Sequence, residues 1–191
     1  MKKLNIRNIL TAKLRLVKFS INKKMIEKNF IVAVLAGIIG TIAMTLTMYF
    51  YSYILGRNTK VIHVLGTMLT GGEESEENHK KSFVAGCFGH FGVGVLFSFA
   101  YFLLWNWGIF RINFADSIWV GILSGFVAIF TWMTYFKLHR SPPNISLIHY
   151  SIALFLAHIF FGIVTVNIFH IIVENPSLWH ELHDDTKLTF I

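Results

Sequence analysis

Four stretches of this chain are free of charge. Asn29–Gly56, Ser82–Phe110, Ser117–Phe136 and Ser141–Val173 contain no Asp, Glu, Lys or Arg over 28, 29, 20 and 33 residues. About 20 mostly apolar residues cross a bilayer, so each run predicts one spanning helix and none comfortably holds two. A β-barrel needs short segments that alternate apolar and polar positions, and these runs do not alternate. The pattern predicts an all-α integral membrane four-helix bundle over residues 30–173. Residues 1–29 form a basic segment before it, and residues 174–191 a polar tail after it.

The connections divide further. "VIHVLGTMLT" (Val61–Thr70) is apolar yet too short to span, which predicts a segment lying at the interface or dipping back into the bundle. "GGEESEENHKK" (Gly71–Lys81) reads as a solvated turn. Pro142 and Pro143 predict a stiff, extended entry to the fourth span, and Pro176 ends the last helix.

Composition agrees with the pattern. The chain is 54% hydrophobic with a mean hydropathy of +0.59, and its 14% of charged residues falls well below the roughly 25% of globular domains. The net charge of +7 is concentrated at the start, where residues 1–29 hold nine Lys or Arg against the single acid Glu27. Leu4, Ile6, Ile9, Leu10, Leu14, Val17 and Ile21 interleave with them, predicting a basic amphipathic helix on an anionic lipid surface. Such a basic start acts as a topology determinant, so nucleic acid is not an expected partner. It predicts a cytoplasmic N-terminus, and four spans return the C-terminus to the same side. The loops agree less well: that orientation leaves Arg57, Lys60, Lys80, Lys81, Lys137 and Arg140 outside and only Arg111 within. Met25 offers a second candidate start, since "MIEKNFIVAVLAGIIGT" runs directly into the first span. No signal-peptide cleavage is expected, because the first apolar run is too long for an h-region. The single cysteine, Cys87, excludes an internal disulfide.

The spans repeat one another. A shift of 85 residues lays Ala36, Gly40, Ala43 and Met48 on Gly121, Gly125, Ala128 and Met133, and a shift of 68 lays His90 and Gly94 on His158 and Gly162. This predicts two helical hairpins in a parallel internal repeat, related by an axis along the membrane normal. Chance likeness among apolar sequences is the competing explanation.

The chemistry centres on those histidines. Gly86, His90, Gly94 and Ser98 recur in steps of four on span two, as do His158, Gly162, Val166 and His170 on span four. Three readings follow. In the first, small residues bring helices close and each histidine bonds across the contact. In the second, His90 and His158 converge to hold haem b, with Gly94 and Gly162 leaving room for it, or a transition metal, with Cys87 as a further ligand. In the third, a proton or small solute passes along the histidine faces, in a homodimer because four spans leave little room for an aqueous path. Against haem, no second histidine stands at the thirteen- or fourteen-residue spacing of two-haem helices. Against transport, no span contains the charged residues that ion-coupled carriers commonly use.

Elsewhere the signals are weaker. His180, Glu181, His183, Asp184 and Asp185 in the tail, and Glu73, Glu74, Glu76, Glu77 and His79 in the first loop, match no ligand pattern and read as solvated charge. The chain has no G-x-S-x-G, Walker loop or H-E-x-x-H, and the glycines of "GHFGVG" lie inside a span. The reading therefore leans away from an enzyme.

At "AGIIGTIAMTLTMYF", "VLGTMLTG" and "GHFGVGVLFSFAY" the chain resembles a group of uncharacterised bacterial four-span inner-membrane proteins. In that group a Gly-rich first span is followed by a short apolar loop and a histidine near the start of span two. The resemblance covers roughly residues 28–173. It implies the four-span topology and a bacterial inner membrane, and brings no activity with it.

Overall fold

The computed structural model describes residues 6–71, 76–140 and 142–174, with side chains over 30–71, 78–140 and 142–172. The described residues form five helices and no strand: α1 (Ile6–Leu55), α2 (Val61–Thr70), α3 (Glu76–Asn106), α4 (Phe114–Leu138) and α5 (Leu147–Glu174). Four contain stretches long and apolar enough to cross a membrane: Phe30–Leu55, Asn78–Asn106, Phe114–Leu138 and Leu147–Ile172. Large apolar side chains such as Leu46, Phe50, Phe88, Leu96, Phe130 and Ile148 point outward. Such an exterior suits lipid rather than water. The helix of the first span continues back to Ile6 without a break. The lipid-facing role expected of residues 1–29 falls on side chains outside the described set, as does the acidic and histidine-rich tail.

The ends of the helices follow local chemistry rather than the limits of the charge-free runs. The Asn113 side chain accepts from the Asp116 backbone N–H and caps α4. Gly108, with φ of 73°, turns the chain after α3 as few other residues can. Pro142 and Pro143 precede α5 in non-helical conformation, as their fixed φ requires. The third helix starts before the charge-free run does, because Lys80 and Lys81 sit exposed near a helix end and need not interrupt it.

The spans pack in the order α3, α1, α5, α4, with α1 against both α3 and α5, and α4 against α5. Glycines make these crossings close. Gly37 lies beside the backbone of Val95, Gly94 beside the Thr41 side chain, Gly40 beside Thr165 and Phe161, and Gly121 beside Ile159 and Gly162. Hydroxyls then bond across. Ser98 Oγ donates to the Ala33 carbonyl at 2.7 Å, joining α3 to α1, and Thr165 Oγ1 donates to the Ala36 carbonyl at 3.5 Å, joining α5 to α1. In lipid, where apolar contact provides little drive for association, close packing and such bonds hold helices together. Half of the apolar window of α5 is buried against 22% of that of α3, so α5 is central and α3 peripheral.

Between α3 and α4 direct contact is slight. The Tyr101 and Ser124 hydroxyls hydrogen-bond at 2.7 Å, and the Tyr101 hydroxyl also reaches the Val120 carbonyl at 3.4 Å, bridging the two helices near one end. Toward the other end, α2 lines the space between them. The chain leaves α1 at Leu55, turns at Gly56 and folds back, where Thr59 Oγ1 donates to the Met48 carbonyl at 2.7 Å. From that inner position α2 runs outward along α3. Gly86 of α3 lies against Ile62, and Gly66 of α2 lies against Ser82. His139 Nε2–H donates to the Met68 carbonyl at 2.9 Å, tying the end of α2 to the end of α4. Val61–Thr70 is thus a helix packed on the bundle, chiefly against α3. Its irregular entry is held to α1 by the Thr59 hydroxyl.

Candidate functional site

All five helices contribute to one small cavity. Its wall is built from Met44 of α1, Val61 and Leu65 of α2, His90 and Val93 of α3, Thr131, Trp132 and Tyr135 of α4, and Leu154 and His158 of α5, around about 140 Å³. The two histidines singled out by the sequence therefore meet, and they lie at nearly the same distance from the starts of their spans, Asn78 and Leu147. Both are buried. Phe97 packs edge-on to His158 with ring centroids 5.6 Å apart and also contacts Phe161, so aromatic rings surround that imidazole.

Hydrogen bonds fix how each ring presents its nitrogens. The Thr45 hydroxyl donates its hydrogen to the Thr41 carbonyl at 2.7 Å. It can only accept from His90, so His90 Nε2–H donates to Thr45 Oγ1 at 2.9 Å. In the neutral ring this leaves Nδ1 as the lone-pair nitrogen. His158 shows the reverse arrangement. Its Nδ1–H donates to the Leu154 carbonyl at 2.8 Å, and Nε2 is left as the acceptor. Each ring is thus oriented by protein through one nitrogen and keeps a lone pair on the other. That is the arrangement by which outer-shell partners prepare histidines as metal ligands.

The other predicted residues stand elsewhere. Gly94 contacts Thr41, and Gly162 contacts the Ser117 carbonyl and Gly121, so both lie at helix crossings and neither is among the cavity-lining residues. Cys87 is half-buried against the core and is likewise not among the lining residues. Among the described residues no three His, Cys, Asp or Glu side chains form a cluster. Sequence reasoning did not select Met44 or Tyr135, and it reads Thr45 as part of a helix–helix contact rather than of a site. Thr45 carried a signal, since Gly37, Thr41 and Thr45 fall on one stripe of the first span. Met44 and Tyr135 carried none that separates them from ordinary apolar positions.

Thr45→Val tests the orientation of His90. It removes the acceptor for a buried N–H and is expected to lower stability by about 0.6–1.7 kcal/mol, the range of polar contacts between membrane helices. Unfolding in mild detergent, compared with the wild type, measures it, and an unchanged midpoint would leave the bond without weight.

The fold and cavity define a helical protein of membrane-spanning type, with two oriented imidazoles at an apolar cavity whose rim includes the exposed Val93 and Thr131. A family model matches residues 27–180, and the chain belongs to that family, described as Family of unknown function (DUF6789). No curated protein and no solved structure matches it.

Proposed function

We propose that this is a non-enzymatic membrane protein that binds a single transition-metal ion between His90 and His158. One observation carries the reading: two imidazoles at the same cavity, each held by a separate hydrogen bond that leaves a lone pair uncapped. Imidazole suits zinc, copper, iron and nickel. Metal binding by neutral rings needs no proton to leave them. The cavity's size favours an ion over haem b, since about 140 Å³ is less than half the lower end of the roughly 300–1,000 Å³ of typical ligand pockets. The helix contacts at Gly94 and Gly162 also occupy the space a porphyrin would need.

The repeat fits this reading, because hairpins α1–α3 and α4–α5 related along the membrane normal would bring equivalent histidines to one depth. The basic residues before the first span favour cytoplasmic termini. A bacterial inner membrane remains the setting that the resemblance implies.

The test is the metal content of the full-length protein purified in mild detergent, together with its visible absorption before and after reduction. Near-stoichiometric metal is expected in the wild type, without a haem spectrum. His90→Ala and His158→Ala are each expected to lose most of it while still inserting into the membrane. If both variants retain full occupancy, the histidines serve helix packing and the proposal fails.

A further inference from the structure

We infer that the ion is copper(I), with the thioether of Met44 as a third donor beside the imidazoles of His90 and His158. This inference rests on the metal-binding reading above and extends it to the identity of the ion.

The donor set favours copper(I). Met44 is buried, lines the same cavity as both histidines, and is adjacent in sequence to Thr45, which orients His90. Three donors thus come from three helices, α1, α3 and α5. A thioether is a soft ligand that selects copper(I), whereas calcium, magnesium and manganese prefer oxygen donors. Structural zinc sites are closed by four nitrogen or sulfur ligands, typically Cys and His. Among the described residues no three His, Cys, Asp or Glu side chains come together to supply them.

The charge of the lining favours a monocation. None of the residues lining the cavity is a carboxylate, and the donors are neutral. Moving an ion out of water costs energy as the square of its charge in the Born description, so a dication pays about four times the penalty of a monocation. A neutral, apolar pocket therefore discriminates against zinc(II) and copper(II) and tolerates copper(I). Coordination forms three bonds by lone-pair donation from Nδ1 of His90, Nε2 of His158 and Sδ of Met44. No proton is released, no electron moves, and copper stays in its +1 state throughout.

The test uses the full-length protein in mild detergent, without oxygen and with ascorbate to keep copper reduced. Copper(I) is supplied from a coloured chelator of known affinity, and zinc(II) is titrated in parallel. The wild type is expected to withdraw one copper(I) per chain and to bind zinc(II) more weakly. Met44→Leu preserves volume and shape well enough to keep the fold, which its unfolding midpoint verifies. It is expected to weaken copper(I) by at least the roughly 10–100-fold typical of losing an outer-shell partner, with zinc(II) binding unchanged. X-ray absorption at the copper edge should show a sulfur neighbour in the wild type and none in Met44→Leu.

Four results would overturn the inference. Unchanged copper(I) affinity in Met44→Leu removes the thioether from the site. Loss of the sulfur neighbour in Cys87→Ser instead assigns the sulfur to Cys87. Histidine-dependent zinc(II) binding as tight as copper(I) ends the selectivity argument while leaving the metal-binding proposal standing. If neither metal binds, both proposals fall together.

Discussion

Gly162→Val is expected to lower the stability of the bundle by about 3 kcal/mol or more, at or beyond the top of the usual range for overpacked cores. A Cβ at this position would lie 2.5 Å from the Ser117 carbonyl oxygen and 2.8 Å from both Cα and N of Gly121. These are backbone atoms of α4, which cannot rotate aside as a side chain could. The opposing surface is equally closed, since a Cβ on Gly121 would meet the Ile159 Cα at 2.8 Å and the His158 carbonyl at 2.9 Å. The crossing of α4 and α5 is therefore a backbone-to-backbone contact, and a β-branched residue forces the helices apart. Moving α4 away from α5 would also shift Thr131, Trp132 and Tyr135 relative to His158 across the cavity they line together. Gly92→Ala provides the control, for nothing lies within 4 Å of the Cβ it would add. Alanine in a helix gains roughly 1 kcal/mol over glycine, so that variant should be at least as stable as the wild type. Unfolding of both proteins in the same detergent decides the matter, and coincident curves would refute the crossing.

The second large effect is expected at Gly86→Val, and it is structural before it is energetic. A Cβ here would run into the Ile62 carbonyl oxygen and lie 3.0 Å from the Gly66 backbone nitrogen, with Gly66 itself pressed against Ser82. Both helices present backbone at the contact, so α2 must lift from α3. With it go Val61 and Leu65, which close part of the cavity beside His90. The neighbouring Cys87 gives a direct readout, being the only cysteine in the chain. A water-soluble maleimide should label it faster in Gly86→Val than in the wild type, while the four spans remain in the membrane. Equal labelling rates would mean that α2 stays docked despite the added methyls.

Much of the fold was legible because the bilayer imposes a length and a composition. Runs without charge located all four spans to within a few residues. The differences arise where caps rather than composition set the ends, as at Asn113 before α4 and Gly108 after α3. The two histidines were legible for the same reason: an imidazole inside an apolar run is conspicuous. Their neighbours were not. Met44 in an apolar run looks like any other apolar residue, and only the placement of α1 between α3 and α5 brings it to the cavity. The use of the glycines was half legible. Steps of four announced close approach, but the sequence did not specify that Gly94 faces Thr41 and Gly162 faces Gly121. Partner choice among helices depends on complementary surfaces far apart in the chain, which no local period records. The packing of α2 on α3 escaped for a related reason, since ten apolar residues suit an interface and an interior alike.

The inward fold of α2 has a consequence for biogenesis. A ten-residue helix is too short to be partitioned into lipid by itself, and its irregular approach from Gly56 to Lys60 would expose bare peptide groups there. Its docking surface, Ser82 to Gly86, belongs to a span synthesised afterwards. Most of the contacts that hold α2 in the bundle are with α3 and so exist only once α3 is present. Val61 and Leu65 form part of the cavity wall, so a complete cavity beside His90 and His158 requires α2 docked on α3.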